Sequence, residues 1–168
     1  MKITNIAATR DELKAKLLPL LLNKVFHVTG KESFEKIIES GTINPNINEA
    51  YPYTFPQSAN NFGVRNEMVC LIDLRLKSYF DAERYARDGY YFLRPRDWET
   101  VVFLLLDSSF HKDLKLQARF EPALVGENYI PMEEVYKGTY IPEIECWYPA
   151  KITLNKISEV LIVSIAQG

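Results

Sequence analysis

Six consecutive apolar residues, Val101-Val102-Phe103-Leu104-Leu105-Leu106, stand between Thr100 and Asp107. A run of that length, bounded by polar residues, reads as a buried strand over 100–106. Two further stretches have the same character. Met68-Val69-Cys70-Leu71-Ile72 lies within a strand predicted over 67–76, and Val160-Leu161-Ile162-Val163 within a closing strand over 159–165. These strands mostly follow one another without regular intervening helices. That pattern predicts an α+β domain, not a regular alternation of strand and helix.

The helices that can be read lie mainly near the N-terminus. Thr9-Arg10-Asp11-Glu12 has the form of a capping box. It opens a helix to about Leu22, with Leu13, Leu17, Leu18, Leu21 and Leu22 as its buried stripe and Pro19 as a point where it should kink or split. A short strand over 24–29 follows, with Val25, His27 and Thr29 on one face and Phe26 and Val28 on the other. Next comes a helix over 32–40, with Phe34, Ile37 and Ile38 inward and Gly41 as its stop. Thr29 and Glu32 also fit a capping box at its start. Residues 77–88 read as a short charged helix, 114–120 as a strand and 132–136 as a short helix.

The length of 168 residues suits one domain over 1–168, with no repeat and no linker. A formal charge of −2 supplies no basic field for bulk nucleic-acid binding. Met1-Lys2 leads into polar residues, not an apolar leader, and the leucine-rich piece over 17–22 is far too short to span a bilayer. A cytoplasmic protein with no membrane partner is the expectation. Cys70 and Cys146 lie in apolar runs and read as buried thiols, with a disulfide as the alternative.

The stretch Pro142-Glu143-Ile144-Glu145-Cys146-Trp147-Tyr148-Pro149 reads as strand. Residues i and i+2 of a strand share a face, so Glu143 and Glu145 would project together. Like charges side by side repel. A site that stabilises a cation and activates a nucleophile uses such a pair; a solvent-facing edge strand tolerates it. The segment over 44–66 is rich in Asn, Pro, Tyr and Phe, and its length marks it as a candidate functional loop.

Three separated pieces resemble the ADP-ribosyltransferases. Phe26-His27-Val28-Thr29, with the helix ending in Glu39-Ser40-Gly41-Thr42-Ile43, is similar to that family's opening strand and helix. The segment from Tyr53 through Phe55 and Ser58 to Phe62 resembles the aromatic-x-x-x-x-Ser-x-x-x-Tyr segment of the His-Tyr-Glu branch, which includes poly-ADP-ribose polymerases and diphtheria-like toxins. Phe62 stands where that branch has Tyr, which keeps a stacking face and loses a hydroxyl. Glu143-Ile144-Glu145 and the connection into the last strand resemble the end of DNA-targeting ADP-ribosyltransferase toxins.

The resemblance implies a split pair of mixed and antiparallel sheets around a cleft for NAD, which is the substrate. It implies Glu145 on the nicotinamide ribose and its developing cation, and Glu143 on the acceptor nucleophile. His27 would bond the adenosine-side ribose, and the backbone of Val28 and Thr29 would hold the nicotinamide amide. Phe62, or one of Tyr51, Tyr53 and Phe55, would stack on nicotinamide, with Ser58 beside it. It further implies a macromolecular acceptor, nucleic acid or protein, and the setting of a bacterial or phage toxin or defence effector, with an antitoxin or immunity protein as partner. No metal is called for. An NAD glycohydrolase, or a non-catalytic module binding a nucleotide or a protein, are the alternatives. Read from the residues alone, His27 also fits a hydrogen-bonded core position and Ser58 a helix cap.

Overall fold

The computed structural model describes residues 1–45, 68–75, 78–87, 99–113, 123–125, 128–130, 145–148 and 150–166. The expectations for 114–120 and 132–136 lie outside them. The class is α+β: a mixed sheet with few helices.

The unbroken apolar run explains the centre of the fold. It forms β5 (Thr100–Leu106), which is covered on both faces. Val101, Phe103 and Leu105 enter one core with Phe26 and Val28, while Val102, Leu104 and Leu106 enter a second core with Val25. The strand period of two sends alternate residues to opposite sides, so a strand buried twice has no polar face. Fully burying each such side chain contributes about 1.5–3 kcal/mol.

Among the described residues the sheet has six strands. Besides β5 they are β1 (Lys2–Thr9), β2 (Val25–Gly30), β4 (Val69–Asp73), β8 (Glu145–Tyr148) and β10 (Ile157–Ala166), in the order β1-β10-β5-β2-β4-β8. Of the pairs these described strands make, only β1–β10 is parallel. Two small ribbons accompany it: β3 (Thr42–Ile43) with β9 (Ile152–Thr153), and β6 (Ala123–Val125) with β7 (Asn128–Ile130).

Helix α1 (Leu13–Leu21) covers the first face. Leu13, Leu17, Leu18 and Leu21 form its buried stripe, as their spacing predicts, and Leu22 is half-buried. Pro19 lies inside this one helix and does not split it. The predicted capping residues instead cap a 3-10 turn, Arg10–Glu12, where the Thr9 N–H donates to Glu12 Oε2 at 2.9 Å. Helix α3 (Tyr79–Arg87) packs beside α1 through Ala82, and Lys14 Nζ meets Glu83 Oε1 at 2.9 Å. Ser78 opens α3, its hydroxyl accepting from the Asp81 N–H at 3.1 Å.

The second face is covered by α2 (Lys31–Ser40), the β3–β9 ribbon and a 3-10 turn, Ser108–Asp113. Gly41 stops α2 at φ +75°, and its N–H returns to the Ile37 carbonyl at 2.8 Å. Two expectations for α2 are corrected. Ile38 is 44% exposed, because the inward stripe runs through Ser33 and Ile37 with Phe34 half-buried. The helix begins one residue earlier than expected. Gly30 is therefore its N-cap, Glu32 falls at N2, and Thr29 makes no capping box.

Candidate functional site

One seam of the sheet has a short ladder. β2 and β4 pair only through Val25↔Asp73 and Phe26↔Ile72. Beyond that point β2 continues to Gly30 against β5, and β4 runs on to Val69 against β8. His27 is the first residue of β2 past the last paired row.

The imidazole of His27 bridges from β2 to β4. Its Nδ1 lies 2.8 Å from the Cys70 carbonyl oxygen. A carbonyl oxygen can only accept, so Nδ1 carries the proton and donates. The ring is held among protein atoms, and that burial pushes its pKa below the ordinary 6.5, against the raising effect of the bond to Cys70. A neutral ring with Nδ1–H leaves the Nε2 lone pair as an acceptor, and Nε2 has no partner among the described residues. His27 is thus a fixed acceptor at the mouth of the seam.

Glu145 begins β8 on the far side of β4. Ile72 pairs with Phe26 on one side and with Glu145 on the other. Two inter-strand spacings separate Phe26 from Glu145, about 10 Å between Cα atoms. His27 occupies the next row. Neighbouring rows alternate faces: the row of Phe26, Ile72 and Glu145 belongs to the first face, where Phe26 and Ile72 pack in the first core, and the row of His27 belongs to the second, with Val25. Cys146 and Tyr148 anchor β8 in the second core, with the Tyr148 and Phe110 rings 5.0 Å apart at 58°.

A buried ion pair closes the paired end of the seam. Asp73, opposite Val25, is fully buried. Arg75 grips it with Nε donating to Oδ1 at 2.9 Å and Nη2 to Oδ2 at 2.6 Å, and its backbone N–H donates to Oδ1 at 2.9 Å. The same guanidinium reaches the His111 carbonyl through Nη1 at 2.5 Å. Hydrogen bonding to Asp73 raises the Arg75 pKa further, and burial lowers that of His111. β4 is therefore fastened to the turn after β5 just where its ladder with β2 begins. Sequence reading left this clasp out, although an Asp-x-Arg pair at the end of an apolar run is a visible signal. The main-chain role of Cys70 leaves no signal in the sequence at all.

The other predicted residues divide plainly. Val28 and Thr29 lie on β2 just past His27, both buried. Glu143, Tyr51, Tyr53, Phe55, Ser58 and Phe62 lie outside the described residues. Cys70 and Cys146 form no disulfide with each other; the register puts Cys70 opposite Trp147 and Cys146 opposite Leu71.

No protein-family model, curated protein or solved structure matches the chain. The residues themselves therefore carry the functional reading. Among the described residues, no three His, Cys, Asp or Glu gather to hold a metal ion, and no helix is long and apolar enough to cross a membrane.

Proposed function

We propose that this protein is an NAD-dependent ADP-ribosyltransferase that cleaves the nicotinamide–ribose bond and passes ADP-ribose to a macromolecular acceptor. The observation that carries the reading is the seam at His27. A neutral imidazole, locked by Cys70, offers Nε2 as an acceptor where β2 and β4 part, and Glu145 lies one strand beyond β4. A ribose hydroxyl is a donor matched to such an acceptor. Only β4 stands between the His27 strand and the Glu145 strand, whose rows belong to opposite faces of the sheet.

The reaction needs little covalent chemistry from the protein. The C1′–N bond of the nicotinamide ribose breaks, and its electron pair leaves with the nicotinamide nitrogen, cancelling that ring's positive charge. C1′ becomes an oxocarbenium ion. Glu145 holds the 2′-hydroxyl and stabilises the cation, and an aromatic face from Phe62 or a neighbouring tyrosine carries the departing ring. The acceptor nucleophile bonds to C1′ and gives its proton to Glu143. The products are nicotinamide, the ADP-ribosylated acceptor and one proton. Damage to a macromolecule of this kind suits a toxin or defence effector.

The test is nicotinamide release from NAD by the purified protein beside Glu145→Gln. Loss of one electrostatic stabiliser should lower the rate on the order of a hundredfold or more, with the melting temperature nearly unchanged. Equal rates in the two proteins would sink the assignment. No release from either, with no stabilisation by NAD, would favour a nucleotide- or protein-binding module instead.

A further inference from the structure

The start of α2 buries polar groups that nothing among the described residues satisfies. Thr29 is 5% exposed and Ser33 is 6% exposed, and neither hydroxyl has a hydrogen-bond partner there. A buried hydroxyl left without a partner costs roughly 1–3 kcal/mol. The helix also lacks a side-chain cap. Its N-cap is Gly30, at φ −90° and ψ 173°, which has no oxygen to offer. The N–H groups of Lys31, Glu32 and Ser33 therefore lack the side-chain acceptor that usually meets such orphan donors.

These groups converge. Every Cα–Cβ bond in a helix tilts toward its N-terminus, so buried Ser33, at the third helical position, leans back over the first turn. Thr29 stands immediately before the cap. Glu32, the one acid of the first turn, is exposed and is held on the solvent side by Lys36 Nζ at 3.2 Å. The result is two hydroxyls and a set of backbone N–H groups at the positive end of a ten-residue helix. Such a set of donors matches a tetrahedral oxyanion. It also lies on the His27 side of β2, because Thr29 follows His27 by two residues and shares its face.

We infer that Thr29, Ser33 and the N-terminus of α2 form a phosphate subsite that takes the diphosphate of the dinucleotide. This rests on the reading that His27 holds a ribose of that molecule. The subsite uses the Thr29 hydroxyl, a group distinct from the Val28–Thr29 backbone assigned to the nicotinamide amide.

The experiment is calorimetric titration of ADP, adenosine and inorganic pyrophosphate into the full chain and into the double variant Thr29→Val, Ser33→Ala. The unaltered protein should bind ADP at least about tenfold tighter than adenosine. The double variant should lose that increment and its pyrophosphate binding, and keep its affinity for adenosine. Its melting temperature should not fall, because the substitutions remove buried hydroxyls that have no partner. ADP binding no tighter than adenosine, or an increment that survives in the variant, would overturn the subsite. Nicotinamide release separates the two readings. Intact phosphate binding without release would count against the transferase alone, and release without a phosphate increment against the subsite alone.

Discussion

Replacing Arg75 by Met should be the most damaging single change to a charged residue in the described part of the chain. Asp73 is fully buried, and the Arg75 side chain supplies the Nε and Nη2 bonds to its two oxygens. Without them the carboxylate keeps the Arg75 backbone N–H, which donates to Oδ1. Breaking a buried pair by removing one partner costs about 3–5 kcal/mol, since the remaining charge is stranded. The Arg75 side chain is 24% exposed, so solvent softens one end and the lower part of that range applies. Loss of the bond to the His111 carbonyl adds to it. Set against a typical domain stability of about 5–15 kcal/mol, this is a large fraction, and it should lower the melting temperature by roughly 10 °C. Urea unfolding followed by circular dichroism measures it, with the slope unchanged if only stability moves. The double variant Asp73→Asn, Arg75→Met removes the stranded charge and should recover most of the loss. A single-variant cost below about 1 kcal/mol would refute the reasoning, because that is the size of an ordinary surface ion pair.

Two other outcomes follow from local geometry. Burial holds the pKa of His27 below 6.5 in the folded protein, so the unfolded chain takes up a proton first as pH falls. The resulting stability is full above that value and is lost as pH falls through it, by at most about 1.4 kcal/mol per pH unit. His27→Asn should flatten that slope in urea titrations at several pH values, and an unchanged slope would place the proton uptake elsewhere, His111 being the other depressed histidine. Gly41→Ala should cost about 1–2 kcal/mol, because φ is +75° and nothing lies within 4 Å of an added Cβ. Gly41→Asn should cost less, and equal losses would mean that crowding, not the left-handed backbone, sets the penalty.

Legibility followed the reach of each signal. β5 was readable because burial on both faces removes every polar residue from its run. The stop of α2 was readable because a left-handed residue after a helix favours glycine. Its start was misplaced by one residue, since Thr29-x-x-Glu32 imitates a cap that Gly30 in fact supplies. β1 was missed altogether. Lys2-Ile3-Thr4-Asn5-Ile6-Ala7-Ala8-Thr9 has neither a long apolar run nor a strict alternation, and only Ala8 is buried, so its strand character comes from its partner. Thr4 bonds Glu159 Oε1 at 3.0 Å, and β1 runs in parallel register along β10.

Taken alone, the sequence determined the class of the fold, the central buried strand and the amphipathic helices. Those properties depend on side-chain period and backbone preference over a few neighbouring residues. The tertiary structure decided which strands meet and where one ladder stops. That stopping point fixes the proton on His27, and the clasp of Arg75 on Asp73 holds the strands beside it. Such features join residues distant along the chain, and closing those loops repays its entropy only through burial and pairing in the assembled sheet.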